Sequence, residues 1–153
     1  MPRWLTRLLA TGLYTGLSPT IPGTVGTIPA WILIWFLLPA NAIVQVTVLI
    51  VITGLSVWLA TEAEEFLGHD SKKIVIDEWA GMMVSVLFLP HTHAAFGLAF
   101  VAFRFFDVVK IWPAAQAEKL PTGWGVTMDD VAAGIHANIA VQIYLLAARW
   151  LNS

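Results

Sequence analysis

The most informative pattern in the sequence is a stretch without any charged residue between Arg7 and Glu62. Within it, residues 42–60 are almost entirely apolar and, at about 1.5 Å of rise per residue, are long enough for a helix that crosses a membrane. Residues 25–38 predict a shorter helix before it, and the Pro-Ala-Asn segment at 39–41 predicts a turn between the two. These segments are therefore predicted to form a helical hairpin.

A second uncharged run covers residues 79–103 and follows a charged segment at 61–73. The Leu-Pro-His-Thr-His sequence at 89–93 interrupts this run, because proline is a strong punctuation of local structure. Two helices are predicted here, at about 77–89 and 94–112, and each is extended by acidic residues near one end.

The two ends of the chain predict further helices. A polar loop with Pro121, Gly123 and Gly125 leads into a segment at about 130–150, which predicts a last helix. At the amino terminus, leucines are mixed with Trp4, Arg3 and Arg7, a combination typical of a short helix lying at a membrane interface. A buried amino-terminal helix is the alternative.

Composition supports a membrane environment. The chain has 153 residues, of which 58% are hydrophobic and 12% charged, and its mean hydropathy is +0.77. No linker, repeat or low-complexity segment divides it. We therefore expect one domain over residues 1–153 with an all-α fold: a compact helical membrane bundle of about four to five short transmembrane or re-entrant helices, plus the amino-terminal interfacial helix.

Charge and cysteine content exclude several functions. The formal net charge is −2 and the basic residues form no stripe, so nucleic acid is not an expected partner. The absence of cysteine excludes thiolate metal sites and cysteine nucleophiles. Threading the helices alternately across a membrane puts nearly all basic residues on one side, which the positive-inside rule makes cytoplasmic. These residues are Arg3, Arg7, Lys72, Lys73, Lys110 and Lys119, with Arg149 as the exception.

The same threading brings five acidic residues from three helix ends to this cytoplasmic boundary: Asp77, Glu78, Asp107, Asp129 and Asp130. Carboxylates are costly to place in a membrane, at about 2.5–3.5 kcal/mol each, and five that repel one another need a compensating cation. Oxygen ligands without cysteine favour a hard ion, Mg²⁺ before Mn²⁺ or Ca²⁺. The alternative is that these acids cap helix N-termini or extend toward lipid headgroups.

Two further groups of residues suit phosphate binding. Arg104, Asp107 and Lys110 share one helix face at i, i+3 and i+6, so the two cations could hold phosphate oxygens or could form only a structural ladder of ion pairs. A Gly/Thr/Pro-rich loop at 16–30 precedes a predicted helix and could direct backbone N–H groups at an anion, although a plain turn would use the same residue types.

With these motifs in place, the sequence resembles the phosphatidylglycerophosphatase A family of bacterial membrane lipid phosphatases. Four motifs carry the resemblance, in the order and spacing of the family: SPTIPGTVGT at 18–27, VIDEWAG at 75–81, FRFFDVVKIWP at 103–113 and GWGVTMDDVAAG at 123–134. The resemblance covers nearly the whole chain. One departure is His136, at a position where the family pattern leads us to expect tyrosine.

The resemblance implies Mg²⁺-dependent removal of the terminal phosphate of phosphatidylglycerophosphate, a phospholipid held in the bilayer, at the cytoplasmic face of the bacterial inner membrane. It implies that the five acids above are the catalytic and metal-binding residues, with Arg104 and Lys110 as basic catalytic and substrate-binding residues. The loop residues that it implies for substrate binding are Pro22, Gly23, Thr24, Gly26 and Thr27.

The mechanistic hypothesis is in-line attack by water. One carboxylate orients the water, Arg104 and Lys110 neutralise the developing charge, and the phosphoryl group is polarised by Mg²⁺. The rival hypothesis is a transporter or channel that uses carboxylates as an ion path. A path needs ionisable groups at several depths, whereas these acids crowd one boundary. The sequence leaves open which acids bind metal, how many ions bind, and whether attack is by water or through an acyl-phosphate.

Overall fold

In a computed structural model, which describes residues 1–68 and 71–152, all regular secondary structure is helical. This confirms the predicted all-α fold. The described α-helices are α1 (Arg3–Ala10), α2 (Pro22–Leu37), α3 (Ala42–Leu67), α4 (Ile76–Val86), α5 (His93–Val109), α6 (Ala114–Ala117) and α7 (Gly123–Leu151), and a single 3-10 turn (Thr15–Leu17) follows α1.

Two of these helices, α3 and α7, are long and apolar enough to cross a membrane by length and composition. In their most apolar stretches only 22% of the α3 window and 33% of the α7 window is buried inside the protein. Large apolar side chains such as Ile50, Val101 and Ile143 are more than half exposed. The outer surface of the bundle therefore suits contact with lipid better than contact with water.

The helix boundaries differ from the prediction at several points. Helix α2 begins at Pro22, three residues before the predicted residue 25. Proline suits the first helical position because its φ is already fixed and because the N–H that it lacks would have no partner within the helix. Helix α3 continues to Leu67, so its glutamates lie on a helix and not in a loop. His69 and Asp70, in the predicted charged connection, lie outside the described residues.

Helix α7 begins at Gly123, and the predicted loop there was wrong. Gly123 donates its backbone N–H to the Thr61 hydroxyl of α3, at 3.1 Å. A Cβ atom on Gly123 would overlap the carbonyl oxygen of Val57, so the glycine permits close packing of α7 on α3. The sequence predicted a turn at Gly123, whereas the structure uses this glycine for close helix packing.

Helices α2 to α5 alternate in direction, and two of their connections meet at one end of the bundle, which we call the distal end (residues 38–41 and 87–92). The Asn41 side chain caps α3 by accepting from the N–H groups of Ile43 and Val44. Gln45 then joins the two connections, donating to the carbonyl of Pro39 and accepting from the N–H of Phe88. The predicted Pro-Ala-Asn turn and the 89–93 interruption thus lie together.

Helix α4 is the centre of the bundle and packs against α2, α3, α5 and α7. A Cβ atom on Gly134 of α7 would overlap the carbonyl oxygen of Gly81, so these two glycines let the backbones of α4 and α7 touch. Near the distal end Asn138 donates to the carbonyl oxygens of Ser85 and Leu87, at 3.1 and 2.8 Å. These bonds satisfy carbonyls at the end of α4 that its own helix leaves unpaired.

Candidate active site

At the end opposite the distal end, a cleft of about 510 Å³ opens between the first turns of α2 and α4, the last turn of α5, and α7. The ionisable residues that line it include all five acids and both cations singled out from the sequence: Asp77, Glu78, Asp107, Asp129, Asp130, Arg104 and Lys110. The tertiary structure therefore brings the predicted residues to one place, while their catalytic roles stay a prediction.

Glu78 is the most firmly held carboxylate of the cleft. It lies in the first turn of α4, is 6% exposed, and forms an ion pair with Arg104 of α5. The Thr27 hydroxyl of α2 lies 2.8 Å from Glu78 Oε2 and 2.7 Å from the carbonyl oxygen of Gly23. A Cβ atom on Gly23 would overlap Glu78 Oε1, so this glycine makes room for the carboxylate against the start of α2.

Arg104 connects two carboxylates. Besides Glu78 it binds Asp107, one turn later on α5, with 3.1 Å between Arg104 Nη2 and Asp107 Oδ2. The predicted i, i+3 pair therefore forms. Because the guanidinium has several donors in a fixed plane, it can hold both carboxylates in defined orientations.

Lys110 does not continue this ladder. It ends α5 in the left-handed conformation, with φ of 47°, and its Nζ lies 2.8 Å from Asp129 Oδ2 of α7 and 2.8 Å from Glu118 Oε1. Burial alone would lower the pKa of Lys110, but hydrogen bonds to Asp129 and Glu118 outweigh it and raise that pKa above its usual value. The ammonium group therefore stays protonated at neutral pH.

Asp129 and Asp130 lie about two turns inside α7 and are 6% and 3% exposed. They do not cap the helix N-terminus, so that alternative is wrong for this pair. Asp129 accepts from Lys110 and from the N–H of Asp130. Since α7 is continuous here, both carboxylates are presented from a rigid element.

Two carboxylate oxygens of the cleft have no hydrogen-bond partner among the described residues: Asp77 Oδ1 and Asp130 Oδ2, both shielded from solvent. A buried carboxylate oxygen without a donor is costly unless something else binds it. The other three acids are paired with Arg104 or Lys110. Of the five predicted acids, Asp77 and Asp130 are therefore the two that each keep one oxygen without a partner among the described residues.

These two oxygens suit Mg²⁺, which is usually bound in proteins through one or two carboxylates together with water and substrate phosphate. Within residues 1–68 and 71–152, no three acidic or histidine side chains form a group that could enclose a metal ion by themselves. A fully protein-ligated site of five carboxylates is therefore not the arrangement found. The donor set fits an ion held by two carboxylates and completed by substrate.

The predicted phosphate-binding loop is the first part of α2. Pro22, Gly23 and Thr24 line the cleft, and the N–H groups of Gly23 and Thr24 belong to a first helical turn, where amides have no acceptor within the helix. Thr27 is fully buried, and a Cβ on Gly26 would meet the Val75 side chain at 2.6 Å. Gly26 and Thr27 therefore support the wall of the cleft and do not face it.

Among the described polar residues that line the cleft, sequence reasoning missed Glu118, Ser71 and Lys72. Glu118 follows the short helix α6, which had no periodic signal, and only the fold brings it to Lys110. The sequence predicts for Lys72 only a position on the cytoplasmic side. Counted over the described residues, the cleft is lined by six carboxylates and three cations, an excess of negative charge that opposes binding of an anionic phosphate unless a cation is added.

The position that departs from the family pattern is not part of the cleft lining. His136 stacks on Phe106, with 5.5 Å between ring centroids, and its Nδ1 lies 2.8 Å from the carbonyl oxygen of Ala132. These contacts are those of a satisfied structural histidine. The departure leaves the acidic residues of the site unaffected.

Comparison with known proteins agrees with the motif pattern. A model of the phosphatidylglycerophosphatase A family matches residues 8–145. A protein of Escherichia coli named phosphatidylglycerophosphatase A is 36% identical over 94% of this chain and 84% of its own length. A protein of the same name from Haemophilus influenzae is 35% identical over 91% of this chain and 90% of its own length.

A third relative bears a different name. A protein of Bacteroides thetaiotaomicron, provisionally named phosphatidylinositol-3-phosphatase, is 35% identical over 98% of this chain and 97% of its own length. No solved structure matches the chain. All three names are those of phosphatases that act on a phospholipid; the Escherichia coli and Haemophilus influenzae names give the same headgroup, and the Bacteroides thetaiotaomicron name gives another.

Proposed function

Because the chain belongs to the phosphatidylglycerophosphatase A family and is therefore a phosphatase, we propose that it hydrolyses the terminal phosphate of phosphatidylglycerophosphate in a Mg²⁺-dependent reaction. The products are phosphatidylglycerol and inorganic phosphate. The observation that carries the proposal is the single cleft in which the acidic and basic residues of all three charged motifs meet the start of α2.

Asp77 and Asp130 are the proposed ligands of Mg²⁺, because both line the cleft and each has an oxygen without a partner, whereas the other acids are bound to Arg104 or Lys110. When bound, Mg²⁺ supplies Lewis-acid polarisation of the phosphoryl oxygens. It also offsets the excess negative charge of the cleft, so that a phosphate monoester can enter.

The residues of the chain supply the remaining interactions. The N–H groups of Gly23 and Thr24, at the positive end of α2, donate to phosphate oxygens. Arg104 and Lys110 place two cations beside the same space and stabilise the charge that develops on the phosphoryl group. Both are already held in position by carboxylates, so little reorganisation is needed when the phosphate arrives.

Asp107 is the proposed base that orients the attacking water and accepts its proton. Its Oδ2 is fixed by Arg104, and its side chain is 16% exposed, compared with 8% for Asp129. It is therefore the more accessible carboxylate on the wall of the cleft. In-line attack then breaks the phosphorus–oxygen bond to the lipid, and the lipid alkoxide takes up a proton from solvent.

The bundle is proposed to sit in the bacterial inner membrane with the cleft facing the cytoplasm. The exposed apolar surfaces of α3 and α7 supply the contact with lipid. The cleft end carries Lys72, Lys110 and Lys119, whereas the distal connections, residues 38–41 and 87–92, carry no lysine or arginine. A headgroup in the cleft would then lie at the membrane boundary and its tails in the bilayer.

Phosphate release by the detergent-purified protein tests the proposal. The substrates are phosphatidylglycerophosphate, phosphatidic acid and phosphatidylinositol 3-phosphate, the last because of the name of the Bacteroides relative. We expect release from phosphatidylglycerophosphate in Mg²⁺, loss of release in EDTA, and recovery when Mg²⁺ is added back. Preference for another substrate would overturn the headgroup assignment, and full activity in EDTA would overturn the metal assignment.

A further inference from the structure

A second cavity lies on the side of the bundle. It is a groove of about 390 Å³ between α1, α2, α3 and α4, and we call it the lateral groove. The side chains that define it are Leu13, Leu33, Leu37, Leu55, Trp58 and Trp79. Its lining is almost entirely apolar, and none of the charged residues of the cleft contributes to it.

We propose that the lateral groove binds one acyl chain of the phospholipid substrate while the headgroup occupies the cleft. The inference rests on the proposed function and assigns to the fold a site for the apolar part of the substrate. It makes the protein selective for the length of the acyl chain as well as for the phosphate.

The groove and the cleft share two helices, α2 and α4. In the first turn of α4, Asp77 and Glu78 line the cleft, while Ile76 and Trp79 line the groove. Helix α2 likewise contributes its first residues to the cleft and Leu33 to the groove. A ligand with a charged head and an apolar tail matches this arrangement of surfaces, whereas a wholly apolar ligand would leave the cleft empty.

The length of the groove also fits an acyl chain. Its residues on α3 run from Val48 to Leu59, which corresponds to about 16 Å at 1.5 Å per residue. The hydrocarbon core of a bilayer is about 30 Å thick, so the groove is about as long as one leaflet is deep. The end of the groove near Leu59 lies beside α1, which packs on the part of α3 away from the distal end. This end of the groove is therefore the one nearer the cleft.

The walls of the groove are not covered by other parts of the protein. Leu33, Leu55 and Trp58 are 40%, 46% and 47% exposed, although they face one another across a concave surface. In lipid, binding at such a surface depends on van der Waals packing, because lipid tails are as apolar as leucine. A concave wall gives a tethered chain more contacts than the open surface around Ile143 can give.

Filling the groove tests the proposal. Leu33→Trp and Leu55→Trp each place a large ring in the groove, one from α2 and the other from α3. Leu146→Trp is the matched control, because Leu146 is 63% exposed on α7 and lines neither the cleft nor the groove. Each variant is assayed in mixed micelles with dipalmitoyl and with dihexanoyl phosphatidylglycerophosphate. Leu33 lies ten residues, or about 15 Å, beyond Gly23 along α2. The six-carbon chains of the dihexanoyl substrate end before they reach Leu33.

We expect the groove variants to raise KM for the dipalmitoyl substrate by about tenfold, equivalent to about 1.4 kcal/mol, and to leave kcat and the dihexanoyl KM unchanged. Leu146→Trp should change neither. If both groove variants match Leu146→Trp on both substrates, or lose both substrates equally while folded, the proposal is overturned. Failure of the unmodified protein to release phosphate from either substrate would instead overturn the proposed function.

Discussion

At the scale of single residues, Asp107 is the proposed base: Arg104 fixes its Oδ2, and its side chain is 16% exposed. Replacing it with asparagine keeps its shape and leaves Arg104 paired with Glu78. We expect Asp107→Asn to reduce kcat by about 10²–10⁴-fold at saturating Mg²⁺, the usual contribution of a positioned general base. The measurement is phosphate release from phosphatidylglycerophosphate.

Glu65→Gln is the control for this loss, because Glu65 is an exposed acid on α3 that does not line the cleft. It should retain full turnover. Near-normal turnover of Asp107→Asn would show that another group accepts the proton.

Glu78 and Glu118 form ion pairs of different character. The side chains of Glu78 and Arg104 are 8% and 17% exposed, whereas those of Glu118 and Lys110 are 41% and 31% exposed. Glu78→Gln leaves the Arg104 guanidinium with Asp107 as its remaining carboxylate and removes a buried charge-assisted hydrogen bond, so we expect it to lower the free energy of unfolding by about 2–3 kcal/mol. Glu118→Gln should cost less than about 1 kcal/mol, because Lys110 keeps Asp129 and the pair is partly solvated.

Denaturant titration of both variants in the same detergent measures this difference. Equal losses would mean that burial does not control the stability of these pairs.

At the scale of the elements, the crossing of α4 and α7 depends on two glycines. A Cβ atom at Gly81 would lie 2.8 Å from the carbonyl oxygen of Asp130 and would also overlap the Phe103 ring. Gly81→Ala and Gly134→Ala should each destabilise the protein by about 1–3 kcal/mol, because the helices must separate. Activity should fall with stability, since Asp77 lies on one of these helices and Asp130 on the other.

Gly97→Ala is the matched control on α5. A Cβ atom there has no neighbour within 4 Å, so alanine should stabilise the helix by up to about 1 kcal/mol. Thermal unfolding in detergent distinguishes the cases. If all three substitutions stabilised the protein, the close crossing of α4 and α7 would be wrong.

At the scale of the whole molecule, the proposed orientation puts the cleft and the distal end on opposite sides of the membrane. The chain contains no cysteine, so single cysteines can be introduced without any background. In intact spheroplasts, an impermeant maleimide should label Ala40→Cys at the distal end and should label Lys119→Cys only after the membrane is opened. The reverse pattern would place the cleft outside and overturn the cytoplasmic assignment.

The sequence by itself determined the helical class, the main turns and the group of charged residues at one end. Apolar length and turn residues such as Pro39 and Asn41 act over a few neighbouring positions, so they can be recognised without the fold. Threading the helices in alternating directions then predicts that Asp77, Asp107 and Asp130 lie at the same end of the bundle. The boundaries near Gly23 and Gly123 were wrong because a glycine needed for packing has the same local signal as a glycine in a turn.

Only the tertiary structure decided which charges pair and which oxygens stay open. Lys110 binds Glu118 and Asp129 in place of the neighbour one turn away, and the Thr27 hydroxyl reaches Glu78 across 51 positions of the chain. Such contacts depend on the rotation and separation of helices that are distant in sequence, which a periodic pattern does not specify. The separation of the cleft from the lateral groove has the same origin, because each is enclosed by helices that meet only when the bundle is assembled.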